Sequence, residues 1–250
     1  MFESPRKSLF PREEFMLRWG RARKLMEKKG LDAILVTNPS NYRYFVGIGY
    51  GWGARRNAFI LPIDKDPVVL VNGAQKHATE VGTYINDVRW YHLPFRPVLV
   101  IDVLLTDLGL AGSKIGAEFR HDYMTNISYE VKELMPEASL VDATDILQRL
   151  RMIKTENEVE ALRDACCRNT TALTSMLEKI RGGMTVREVA WTLAECEREQ
   201  GATSVSTGLL MDIWNVDGGG EWLRRKSSPD RKLRRGDYVC FDYGMAGPRG

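Results

Sequence analysis

The chain has 250 residues, 44% of them hydrophobic and 28% charged, the balance of a folded protein with one large or two modest cores, which excludes the apolar deficit of disorder. A formal net charge of +3 is too small to point to nucleic acid. Four cysteines without CxxC pairs or zinc-finger spacing exclude a disulfide scaffold and fit a reducing cytosol.

The opening Met1-Phe2-Glu3-Ser4-Pro5-Arg6 lacks the apolar core of a signal peptide. The longest apolar stretch, Pro97 to Leu105, is interrupted by Asp102 and falls short of the ~18 residues of a membrane span. A cytoplasmic protein with no membrane segment is expected.

From Arg12 to Lys29, the residues Phe15, Trp19, Ala22 and Met26 recur at helical spacing, and Gly30 follows where a helix-ending glycine belongs. Asp32 to Val36 is an apolar run bounded by turn formers, which predicts a strand covered on both faces. Asn38-Pro39-Ser40-Asn41 reads as the turn after it. Tyr42 to Tyr50 is partly apolar and runs into Gly47, Gly49, Gly51 and Gly53. Those glycines lead to a strand at Asn57 to Leu61 rather than to a helix, so they are not a dinucleotide-binding fingerprint. Pro67 to Val71 pairs with that strand across Asp64-Lys65-Asp66. The pattern continues with a short helix near Ala74 to Val81, a strand at Val88 to His92 and a helix at Val98 to Leu108 ended by Gly109. It closes with a strand at Ser113 to Glu118, a helix at Tyr123 to Leu134, a strand at Ser139 to Asp142 and a helix at Thr144 to Met152. Alternation of this kind predicts a mixed or parallel sheet with flanking helices, one domain over residues 1–150.

At Thr155 the character changes, and a second domain is expected over 151–250. Thr155-Glu156-Asn157-Glu158 fits a capping box that opens a long helix reaching Gly182-Gly183, and Thr185-Val186-Arg187-Glu188 opens another that Gly201 stops. Cys166 and Cys167 read as core residues of the first of these. Thr203 to Leu210 is β-prone, and Asp212 to Gly220 reads as loop. Arg224 to Arg235 holds seven basic residues against one acid, read as a solvated loop, with an acidic partner as the alternative.

The chemistry-bearing candidates are two. After the Gly236-Asp237 turn, Asp242 ends the β-prone run Tyr238 to Phe241 as a lone carboxylate among apolar residues. Such a group is paired with a cation, takes up a proton or binds metal, and the plain alternative is an Asp that caps a turn or pairs with Arg. The second is Gly49-Tyr50-Gly51-Trp52-Gly53-Ala54-Arg55-Arg56, where glycines allow close approach, Trp52 offers a flat apolar face, and Arg55 and Arg56 offer bidentate recognition of a carboxylate. The alternative is a hairpin tip with solvated arginines. His77, His92 and His121 share no metal-binding spacing and read as surface or structural histidines.

Three motifs in order carry a resemblance. Gly30 to Gly47, with its Asn38-Pro39-Ser40-Asn41-Tyr42, resembles the opening of the creatinase/prolidase N-terminal domain. Ile153-Lys154-Thr155-Glu156-Asn157-Glu158 is similar to the start of that family's metallopeptidase-like domain, and Gly183 to Val189 to its second helix. The resemblance implies an α/β fold: a creatinase-like N-terminal α/β domain with a mixed sheet, followed by a truncated pita-bread α+β domain. It implies a hydrolase of a peptide or small amide, a homodimer whose glycine-rich loop reaches the neighbouring active site, and two divalent metal ions, Mn, Co, Fe or Zn. Asp242-Tyr243-Gly244 falls on the family's Asp-x-Gly motif, whose Asp is the first metal ligand. The other four ligands lie downstream in the family, beyond the equivalent of Gly250, so no stable metal site is expected from these 250 residues alone. The loop Asp212 to Pro229 also lacks the histidine that the family's peptidases carry there. A second reading is therefore a non-catalytic pita-bread protein that serves as a binding or dimerisation module.

Overall fold

The computed structural model describes residues 10–48, 57–92, 97–119, 127–134, 139–203, 210–215 and 229–244. The chain divides into two compact units, 1–154 and 155–250.

The first unit is a three-layer α/β structure. Its helices are α1 (Arg12–Lys29), α2 (Pro39–Val46), α3 (Lys76–Gly82), α4 (Pro97–Asp107), α5 (Ile127–Leu134) and α6 (Thr144–Met152). Its strands are β1 (Ala33–Val36), β2 (Ala58–Pro62), β3 (Val68–Asn72), β4 (Asp87–Tyr91), β5 (Lys114–Ala117) and β6 (Ser139–Asp142), in the order β4-β3-β2-β1-β5-β6. β2 runs antiparallel to both of its neighbours, and the pairs β1–β5, β3–β4 and β5–β6 are parallel. The expected mixed sheet is therefore present, with the β2–β3 hairpin where the sequence indicated it.

Both faces of the sheet are covered, which is why its central strands read as continuous apolar runs rather than alternations. Ile34, Val36, Phe59, Leu61, Val69 and Val71 face a layer built by α1, α2 and α6. Ala33, Leu35, Ala58, Ile60, Val68 and Leu70 face α4 and α5. Phe45 stacks on Phe59 with ring centroids 4.9 Å apart. Gly116 has no room for a side chain, since a Cβ there would lie 2.8 Å from both Ala143 Cβ and Leu31 Cδ1. Among the described residues of this unit an ion pair is buried: Arg18 Nε donates to Glu14 Oε1 at 3.0 Å, with side chains 3% and 2% exposed.

The second unit begins with α7 (Glu156–Lys179) and α8 (Val186–Glu199), which pack through Ala172 and Met176 against Val189, Leu193 and Cys196. Both expected capping boxes are present: Glu158 N donates to Thr155 Oγ1 at 3.3 Å while Thr155 N donates to Glu158 Oε2 at 2.9 Å. Thr185 and Glu188 repeat the arrangement at 3.2 and 2.7 Å. Two strands follow, β7 (Leu210–Asn215) and β8 (Asp237–Asp242), paired antiparallel.

Four expectations need correction. Asn38 to Asn41 is not a turn but the start of α2: the Asn38 side chain accepts from Ser40 N at 2.9 Å, and Pro39 occupies the first helical turn, where its missing N–H costs nothing. Asp212 to Asn215 is strand rather than loop. Cys166 and Cys167 are exposed, because α7 meets α8 a turn or more later, at Ala172 and Met176. The basic segment is not wholly a free loop either. Val186 N donates to Arg231 O, Leu233 N to Met184 O and Gly183 N to Leu233 O at 2.8–2.9 Å, and Leu233 is buried.

Candidate functional site

β8 ends in Asp242, and the structure that places it begins at residue 229. Residues 229–233 are strapped along the α7–α8 turn, with Thr185 and Lys232 forming an isolated antiparallel bridge. The chain then reverses at Gly236, whose φ of +90° is a conformation that favours glycine. Asp237 fixes that turn: its carboxylate accepts from Arg234 N at 2.8 Å and from Arg231 Nη2 at 3.0 Å. Its side chain is 2% exposed, so two of the basic residues are engaged in building the strand's entry.

From Asp237 the ladder runs in strict register to Asp242, which stands opposite Leu210, and Asp212 stands opposite Cys240. Beyond the strand, Tyr243 Oη donates to the main-chain carbonyl of Asn169 on α7 at 3.0 Å. Burial, and secondarily the charge of Glu197, push the Tyr243 phenol above its ordinary value, so at neutral pH it remains the donor this contact requires. The Asp-Tyr-Gly motif is thus held from one side by the β-ladder and from the other by a side-chain tether to a helix. The backbone of Asp242 is positioned by both.

Among the described residues, no group of three or more His, Cys, Asp and Glu stands together so as to hold a metal ion. One carboxylate does not satisfy two divalent cations, each of which needs several ligands. The described residues therefore do not fit a two-metal centre on their own. His77 and His92 are exposed and lie in the first unit, and His121 lies outside the described residues. Trp52, Arg55 and Arg56 also lie outside them. Their segment is bounded by Gly47, which ends α2 at φ +87°, and by Asn57, which precedes β2.

Two polar groups escaped the sequence reading. One is Tyr243, whose role depends on a carbonyl 74 residues away. The other is Glu118, a carboxylate that follows the apolar residues Ile115 to Ala117 at the end of β5. It is 5% exposed and fully engaged with β1 and α2.

The sequence profile of the Creatinase/Prolidase N-terminal domain matches residues 18–153. Creatinase from Bacillus sp. (strain B-0618) is 26% identical over 94% of this chain and 58% of its own length. Xaa-Pro dipeptidase from Pyrococcus furiosus is 23% identical over 88% of this chain and 58% of its own. Among solved structures, recombinant prolidase from Thermococcus sibiricus superposes with a TM-score of 0.74 at 22% identity, covering 93% of this chain and 62% of that one. An Xaa-Pro dipeptidase from Bacillus anthracis gives 0.70 at 22%, covering 92% and 61%. The chain thus spans about three fifths of the length of the relatives it matches. Its fold is a creatinase-like N-terminal α/β domain followed by the first part of a pita-bread α+β domain. With the profile matched over more than half of its length, the chain belongs to the creatinase/prolidase family.

Proposed function

We propose that these residues form the N-terminal part of a two-metal hydrolase that cleaves an amide bond in a peptide or small amide. The observation that carries this reading is Asp242-Tyr243-Gly244 at the end of β8, the motif whose Asp the family uses as its first metal ligand. It is supported by the hydrolases among the relatives: a creatinase, an Xaa-Pro dipeptidase and an ectoine hydrolase. The remaining ligands, a second Asp, a His and two Glu, belong to the portion of those relatives that the match does not reach. In this reading Mn, Co, Fe or Zn occupies the complete protein, and the 250 residues by themselves hold none stably. Trp52, Arg55 and Arg56 recognise an anionic end of the substrate, and the protein is a cytoplasmic homodimer. No helix among the described residues is long and apolar enough to cross a membrane, and all four thiols are free, which agrees with a reducing compartment.

The second reading, a non-catalytic binding or dimerisation module, is favoured by one observation: Asp212 to Pro229 contains no histidine. Expressing the complete open reading frame separates the two. Hydrolysis of Xaa-Pro dipeptides or small amides, abolished by a chelator and by Asp242→Asn, supports the hydrolase. A folded protein that neither binds metal nor turns over any of these substrates establishes the module.

A further inference from the structure

At the carboxyl end of β5, the Glu118 carboxylate meets three donors from a distant part of the chain. Thr37 N and Asn38 N donate to Oε2 at 2.8 and 2.7 Å, and Asn41 Nδ2 donates to Oε1. Arg151 Nη1, on α6, donates to Asn41 Oδ1 at 3.0 Å. An arginine has no acceptor, so this contact fixes the carboxamide with its oxygen toward Arg151 and its NH2 toward Glu118. The Thr37 and Asn38 donors are thus fixed by the main chain, and the Asn41 donor by the guanidinium behind it.

The place in the sheet matters as much as the geometry. From β1 the chain leaves through α2 to β2 on one side, and from β5 it leaves through α5 to β6 on the other. The carboxyl ends of these two adjacent parallel strands are the point where the connections diverge. Open α/β sheets take their ligands in that crevice.

We propose that the ends of β1 and β5 form a carboxylate-binding site whose resident ligand is the chain's own Glu118, and that emptying it leaves a site for a small monocarboxylate such as formate or acetate. The donor set selects for two oxygens. A carboxamide placed there turns its oxygen to the Thr37 and Asn38 amides only by setting its NH2 against Asn41 Nδ2, and Arg151 prevents Asn41 from turning to receive it.

The test uses the full 250-residue chain with formate and acetate as probes, chloride and acetamide as controls. Glu118→Ala melts below wild type, and its midpoint rises with the logarithm of acetate or formate concentration, as for a ligand that binds only the folded state. Chloride and acetamide leave it unmoved, and neither wild type nor Glu118→Gln responds to acetate. Amide hydrogen exchange gives a second readout: Thr37 and Asn38 exchange about ten- to a hundredfold faster in Glu118→Ala, the size of a lost hydrogen bond to a charged group, and acetate restores their protection. Should Glu118→Ala not fold, Glu118→Gln carries the test, with faster exchange at the same two amides and no rescue by acetate. Equal response of wild type and Glu118→Ala to acetate, rescue by chloride as well, or unchanged exchange at Thr37 and Asn38 in Glu118→Gln overturns the proposal.

Discussion

Replacing Arg18 by methionine keeps most of the apolar stem of the side chain and removes a guanidinium that is sealed inside the first unit. Arg18 donates to Glu14 at 3.0 Å and to the Tyr44 carbonyl at 2.7 Å, and its guanidinium lies 4.4–5.2 Å from the ring centroids of Phe10, Phe15 and Tyr44. Breaking a buried pair by deleting one partner costs about 3–5 kcal/mol, because the other charge stays in a low-dielectric site. The Tyr44 carbonyl loses a charge-assisted bond in the same step, and the two losses overlap, so about 4 kcal/mol is expected for Arg18→Met. For a unit of this size that lowers the thermal midpoint by roughly 8–16 °C. The double variant Glu14→Leu/Arg18→Met removes both charges and should recover the part of the loss due to the stranded Glu14 carboxylate, remaining about 1–3 kcal/mol below wild type for the Arg18 bond that the Tyr44 carbonyl still lacks. Urea unfolding followed by tryptophan fluorescence, with Trp19 in the same core, measures all three proteins. A loss below about 1 kcal/mol for Arg18→Met, or a double variant as weak as the single, would refute the claim that an uncompensated buried charge is the cost.

Other expectations concern packing, caps, pH and thiols. Gly116→Val inserts atoms where Ala143 and Leu31 already meet a Cβ at 2.8 Å and should cost about 1–3 kcal/mol or more in urea unfolding. Thr155→Ala and Thr185→Ala should each cost about 1 kcal/mol, with Ser in place of Thr recovering most of it, as read by helical circular dichroism through thermal unfolding. The hydrogen bond from Lys29 holds the Asp145 carboxyl below its ordinary value, so the pair's contribution is present above the unfolded-state carboxylate pKa and is lost as pH falls through the folded one. At an exposed site that contribution is about 0.2–1 kcal/mol, and Asp145→Asn should differ from wild type at pH 7 but not in strong acid or high salt. A thiol reagent should modify Cys166, Cys167 and Cys240 quickly in the native chain, whereas Cys196, buried between α7 and α8, reacts only on unfolding.

Much of the fold was legible because its information is local. The helix over Arg12 to Lys29, the helix over Thr144 to Met152 and the strand over Ser139 to Asp142 were placed to the residue. Each has a clear period or a clear stop, and the capping boxes at Thr155 and Thr185 state their own geometry in four residues. Asn38-Pro39-Ser40-Asn41 was misread because the same residue types serve a turn and a helix start, and only the tertiary cover over Tyr42 and Phe45 decides for the helix. Asp212 to Asn215 reads as loop because Asp212 and Asn215 disfavour a strand in isolation, and pairing with β8 overrides that preference; residues 204–209 of the β-prone stretch lie outside the described residues. Asp242 could be singled out as one carboxylate in an apolar run. Glu118 could not be assigned partners that way, because they lie 77–81 residues away and two of them are main-chain amides that carry no sequence signature.

The pairing of β1 with β5 has a bearing on how the chain acquires its structure. β1 is among the first strands made, yet its parallel neighbour is β5, and the Asp32 carboxylate waits for the amide of Lys114, 82 residues further on. The β2–β3 hairpin closes across a short turn and can form early, whereas joining the ends of so long an interval must overcome a loop-closure entropy that local contacts escape. On the ribosome, the apolar edge of β1 that β5 will cover stays open until Lys114 to Ala117 have left the exit tunnel. That interval, rather than any weakness of the finished sheet, is when this domain is most open to aggregation and to capture by chaperones.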